Sequence, residues 1–136
     1  MKRWNIIVDP GFGYAKHAHQ SIYLLGHLHE LLEPEKGLEG FPILAGPSRK
    51  GFIGSILNQP DAEVRFLLFV GLFTGFCFSL NLSFFRLPQQ RTWGTAAACA
   101  ALVASKSDIL RVHDVQEMMD VVKISDAIWR PTPQSN

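Results

Sequence analysis

The residue types able to do chemistry gather in three short segments of this 136-residue chain: Val8-Asp9-Pro10-Gly11-Phe12-Gly13-Tyr14-Ala15-Lys16, Gly46-Pro47-Ser48-Arg49-Lys50-Gly51-Phe52-Ile53-Gly54 and Arg111-Val112-His113-Asp114-Val115. The first offers a carboxylate at Asp9. Such a group can accept two parallel hydrogen bonds from a cyclic edge that carries N–H and NH₂ side by side. The second offers Lys50, a cation able to donate to a carbonyl oxygen or a ring nitrogen. It lacks the Gly-Lys-Ser/Thr ending of a phosphate-cradling P-loop. The third places Arg111 and His113 two residues apart, on one face of an extended segment. A guanidinium fork with an imidazole N–H beside it suits an anion such as a diphosphate. Each segment also has a plainer reading. Asp9 caps the turn that follows it, Arg49 and Lys50 form a basic surface turn, and Arg111 pairs locally with Asp108 or Asp114.

The elements that must position these groups follow from the apolar pattern. Residues 4–8 read as a buried strand stopped by Pro10 and Gly11, with Ile7 and Asp9 on one face. Ile22, Leu25, Leu28 and Leu32 recur at helical spacing over residues 21–32, and Pro34 ends that helix. Residues 41–45 are a second short strand, stopped by Gly46-Pro47. Residues 51–57 form a short helix with Phe52, Ile53, Ile56 and Leu57 inward. An alanine-rich helix covers 92–104, and a third strand covers 109–112. Asp114 with Glu117 three residues on is a capping-box pattern for a last helix running to about residue 127, with Val115, Met118, Met119 and Val122 on its apolar side. Strands alternating with helices in this way argue for parallel βαβ units. From Arg130 the chain is expected to be a polar, disordered tail.

Composition narrows the classes. The formal net charge is +1 and no Lys/Arg-rich block occurs, so no nucleic-acid or acidic-lipid partner is expected. Cys77 and Cys99 lie in apolar surroundings without metal-like spacing, which points away from a disulfide framework and toward a reducing compartment. Met1-Lys2-Arg3-Trp4-Asn5 runs straight into the first apolar segment, so no targeting segment is expected. His17/His19 and His27/His29 have no Cys or carboxylate to complete a ligand set and read as a solvated loop and helix face.

One stretch breaks the rhythm. Residues 66–85 carry no charged side chain, and residues 66–90 hold seven of the ten phenylalanines. A transmembrane helix, a buried hairpin and a translated non-coding segment all fit that composition. The last is preferred, because the stretch is foreign to both flanks and interrupts a motif-bearing unit.

Taken together, the three segments resemble the C-terminal part of dihydropteroate synthase, an enzyme family of folate biosynthesis. The resemblance implies an α/β fold: the last three βα units of a (β/α)8 TIM barrel, carried by residues 1–65 and 91–130, interrupted by the apolar insertion 66–90 and followed by the tail 131–136. It implies a pterin held by Asp9, Lys50 and Gly46, a diphosphate held by Arg111 and His113, and p-aminobenzoate on the side of Tyr14, Ser48 and Arg49. Gly51 stands where the family often has serine. The family joins 6-hydroxymethyl-7,8-dihydropterin diphosphate to p-aminobenzoate and uses Mg²⁺, whose asparagine ligand lies in units this chain lacks, so no metal ligand is expected here. A homodimeric parent, fused in some lineages to other folate-pathway domains, is implied as well. The chain by itself is then expected to be inactive, the alternative being a non-catalytic pterin- or anion-binding or membrane-tethered remnant.

Overall fold

The computed structural model describes residues 2–58 and 91–131. The apolar stretch 66–90, with Cys77, and the tail from residue 132 lie outside the described residues. Three chain segments run parallel. Val8 bridges Ile43, with Val8 N–H donating to the Pro42 carbonyl and Leu44 N–H to the Val8 carbonyl, both at 2.9 Å. Strand β1 (Leu44–Ala45) pairs in parallel with β2 (Ile109–Leu110) in the register Leu44↔Ile109 and Ala45↔Leu110. The ladder is extended at its start by Asp108 N–H to the Ile43 carbonyl and at its end by Arg111 N–H to the Ala45 carbonyl, both 2.9 Å. The second and third expected strands are thus present in order, shorter than their apolar runs, and the first is reduced to the bridge at Val8.

The first strand is the clearest departure. Arg3–Asn5 is a turn of 3₁₀ helix, and only Val8 pairs. Trp4 and Ile7 are 77% and 54% exposed, so the expected buried row leading to Asp9 does not form. Among the described residues the segment has a partner on one side only, and an uncovered apolar run has little to hold it extended.

Among the described residues, four α-helices surround this ladder. Helix α1 (Ala18–Gly26) begins with His17 N–H donating to Gln20 Oε1 at 2.7 Å. The single helix expected over 21–32 is in fact two pieces, α1 and a 3₁₀ segment, Leu28–Leu32. Gly26 is a weak helix former. The carbonyls freed at this end are captured by Ser105 Oγ, which lies 3.1 Å from the Leu25 oxygen and 3.4 Å from the Gly26 oxygen. Pro34 ends the segment as expected and opens another 3₁₀ turn, Pro34–Lys36.

Helix α2 (Gly51–Ile56) buries Phe52 and Ile53, whereas Ile56 and Leu57, expected inward, are 57% and 43% exposed. They border an open apolar groove shared with Ile22, Leu25 and Ala97. Helix α3 (Thr92–Ala104) matches its sequence-based bounds and buries Thr95, Ala98, Cys99, Leu102 and Val103, a stripe of helical period. Gly94 lets α3 approach α2, because a Cβ there would fall 2.4 Å from Ile53 Cγ2.

Helix α4 (Val115–Trp129) packs on α3. Of its expected apolar side, Met118 is buried and Val122 half-buried, while Val115 and Met119 face outward. Asp114 occupies the N-cap position without a side-chain capping bond. Its carboxylate is engaged elsewhere, as described below. Arg130 is no part of a loose tail: its Nη2 donates to the Val103 and Ser107 carbonyls, each at 2.9 Å.

The core lies between the ladder and α1–α3: Phe12, Leu28, Ile43, Ala45, Phe52, Ile53, Ala98 and Leu102 form one cluster. It buries the back of the β1–α2 turn and leaves the front open. No helix among the described residues is long and apolar enough to cross a membrane.

Candidate functional site

The site begins where β1 stops. Gly46, Pro47 and Ser48 are buried, which is unusual for a turn and requires its backbone groups to be matched internally. Arg49 follows in the left-handed region at φ +58°. A non-glycine residue there costs on the order of 1 kcal/mol and persists only when its surroundings fix it. They do. Arg49 N–H donates to Thr95 Oγ1 at 3.1 Å, and its Nε donates to Asp114 Oδ2 at 3.3 Å, with Nη2 on the other carboxylate oxygen. Arg91, only 1% exposed, donates from Nη1 to the Arg49 and Lys50 carbonyls at 3.2 and 3.3 Å. Helices α3 and α4 therefore hold the turn from behind, and Lys50 emerges at its front.

β2 ends beside that turn. Arg111 lies across Gly46, where a Cβ would come within 3.1 Å of both Arg111 Nε and Nη2. Glycine at 46 is what lets the guanidinium lie flat against the backbone. Two residues on, His113 meets Ser48: its backbone N–H donates to Ser48 Oγ at 3.2 Å, and its Nδ1 lies 2.9 Å from the same oxygen. From the other side comes the loop after Val8. Gly13, at φ +70°, passes close to the Lys50 stem, and the Lys50 ammonium sits 4.0 Å from the Tyr14 ring centroid, a cation–π contact.

These groups enclose a cavity of about 290 Å³ lined by Tyr14, Gly46, Ser48, Lys50, Arg111, Val112 and His113. Among the described residues no carboxylate lines it. Asp114 is taken by Arg49, and Asp108 Oδ2 accepts from Ile43 N–H at 2.8 Å, so neither acid pairs with Arg111. Two cations without a carboxylate partner among the described residues, with a histidine ring beside them, make a place suited to a polyanion.

Two expected site residues stand apart from the cavity. Asp9 is exposed, and its Oδ1 accepts from Gly11 N–H at 2.8 Å, a turn cap. Its other carboxylate oxygen remains available to a ligand. Arg49 turns its charge to Asp114. Lys16 ties down the same loop as Asp9, donating from Nζ to the Pro10 and Gly11 carbonyls at 2.7 and 3.2 Å. Arg91, Thr95 and Asp114 are the functional supports that sequence reasoning missed. The one available signal was Asp114, whose neighbour Glu117 made a helix cap the obvious local role. Among the described residues no group of three or more His, Cys, Asp or Glu could hold a metal ion.

The pterin binding enzyme family matches residues 1–113, and the chain belongs to that family. A dihydropteroate synthase from Synechocystis sp. is 45% identical over 125 residues, which cover 92% of this chain and 32% of the relative. A folic acid synthesis protein from Pneumocystis carinii is 40% identical over 128 residues, 94% of this chain and 14% of the relative. The solved structure of a Coxiella burnetii dihydropteroate synthase in complex with pteroic acid superposes with a TM-score of 0.67 at 30% identity, covering 94% of this chain and 36% of that one. The chain therefore spans about a third of the length of the Synechocystis relative, and its fold matches that of dihydropteroate synthase barrels over this part.

Proposed function

We propose that this chain is the sixth to eighth βα units of a dihydropteroate synthase, and that its cavity receives the diphosphate of the pterin substrate. The observation that carries the reading is the convergence of Lys50, Arg111 and His113 on one cavity that no carboxylate lines among the described residues. In the reaction the arylamine nitrogen of p-aminobenzoate forms a bond to the pterin methylene carbon. The carbon–oxygen bond to diphosphate breaks, the oxygen leaves with the bonding pair, and the nitrogen loses a proton. An arylamine is a neutral nucleophile at pH 7, so the protein's task is positioning and neutralising the departing charge.

Arg111 offers its fork to the diphosphate, and the His113 ring lies beside it. Lys50, pinned over Tyr14, donates to the pterin carbonyl or a ring nitrogen, and Asp9 receives the pterin's N–H and NH₂, one on its open Oδ2 and one on the remaining lone pair of Oδ1. Gly46 lets the pterin approach the backbone. Tyr14 lines the p-aminobenzoate side, where Ser48 and Arg49 act by holding the turn. The Mg²⁺ that the resemblance implies finds no fitting ligand set among the described residues, and no step is assigned to it. Fusion of a parent to other folate-pathway domains is supported by the relative from Arabidopsis thaliana named a folate synthesis bifunctional protein. A homodimeric parent belongs to the same reading.

The placement of Asp9 outside the cavity favours a second reading, a chain that binds anions without turnover. Both readings make the same first prediction. Inorganic diphosphate, titrated calorimetrically into the 136-residue chain, binds, and Arg111→Ala weakens it about tenfold to a hundredfold, the range for a hydrogen bond to a charged group. Equal affinity in the two proteins would remove the diphosphate assignment.

A further inference from the structure

Ser48, 4% exposed, sits at the edge of the cavity, and both hydrogen-bond contacts of its hydroxyl are to His113. A seryl oxygen has one proton to give and two lone pairs. One lone pair is committed to the His113 backbone N–H at 3.2 Å. The contact to Nδ1 at 2.9 Å then runs in one of two directions. If Nδ1 carries the proton, the oxygen accepts twice, and its own O–H has no acceptor among the described residues. If Nδ1 is bare, the hydroxyl donates to it and every group is matched. Polar groups in folded proteins are overwhelmingly matched, and among the described residues one arrangement matches all of these.

We propose that Ser48 is a positioning residue that fixes His113 as the Nε2–H tautomer. The consequence is the sign of what the ring offers the cavity it shares with Arg111 and Lys50. An Nε2–H is a donor to an anionic oxygen, whereas an unprotonated Nε2 would turn a lone pair toward it. The serine thereby decides whether the histidine assists or opposes the two cations. This deepens the diphosphate reading above and rests on it for its purpose, while the tautomer itself is a property of the ligand-free protein.

The test is long-range ¹H–¹⁵N spectroscopy of the imidazole nitrogens in the full, ¹⁵N-labelled chain at pH 8, without ligand. The His113 signals are assigned by their loss in His113→Gln. A protonated-type Nε2 and an unprotonated-type Nδ1 are expected, retained in Ser48→Thr and replaced in Ser48→Ala by exchange-averaged shifts. The alanine variant should also bind inorganic diphosphate about threefold to tenfold more weakly. A protonated-type Nδ1 in the unsubstituted chain, or unchanged ring shifts in Ser48→Ala, overturns the proposal. A fixed tautomer in a chain that binds no diphosphate would instead remove the diphosphate reading and leave the tautomer assignment standing.

Discussion

Arg111 needs the space that Gly46 leaves. With 3.1 Å between the would-be Cβ and the guanidinium, Gly46→Ala must push Arg111 aside by a few tenths of an ångström. The end of a flexible side chain can yield that much at little cost to the fold. The expected outcome is a circular dichroism spectrum like that of the unsubstituted chain and an affinity for diphosphate lowered about threefold to tenfold, because a charge-assisted bond depends on alignment. Unchanged affinity would mean that Arg111 does not act from this position. At this scale the sequence was informative wherever a residue sits in a motif: Tyr14, Gly46, Ser48, Lys50, Arg111 and His113 all reach the cavity. It was silent where tertiary contact overrides a local rule. Asp114 has the spacing of a helix cap, yet it answers Arg49, 65 residues away, because a guanidinium at that distance offers more than the backbone N–H groups next door. Arg91 has no motif around it at all, and nothing in its sequence surroundings announces a buried cation behind the turn.

The helices behave differently from the strands. The bounds of α3 were legible because alanine propensity and a buried stripe agree. The strands were legible in order and direction but not in length, since pairing depends on neighbours that the local pattern does not contain. Trp4 and Ile7 look like core residues in sequence, and they are exposed in the structure. The stripe of α3 also carries a measurable signature. Burial pushes the Cys99 thiol from its ordinary 9.0 up to about 11. Below about pH 9 both folded and unfolded chains keep the proton. Between about 9 and about 11 the unfolded chain loses it first, so deprotonation favours unfolding and stability declines as pH rises. The thiol's share is on the order of 1–2 kcal/mol. Urea unfolding at pH 8 and pH 11 should show a larger loss for the unsubstituted chain than for Cys99→Ala. An equal loss in both would remove the thiol as its source.

At the scale of the whole molecule, the described residues form one wall of a site. The cavity holds the cations, while Asp9 stands in solvent beyond it and the groove bordered by α1, α2 and α3 is open. Positioning accounts for much of the catalysis of a reaction between two bound molecules, and one wall positions poorly. The 136-residue chain is expected to form no dihydropteroate in a steady-state assay, even where it binds diphosphate; turnover above the uncatalysed background would overturn that expectation.

The wall itself has a particular construction. Arg91 and Thr95 grip the Arg49–Lys50 turn from the far side of residues 59–90. The register of the turn is therefore set by contact and not by connection. Lys50 is thus fixed by side chains that lie 41 to 46 positions away in sequence from the backbone groups they hold.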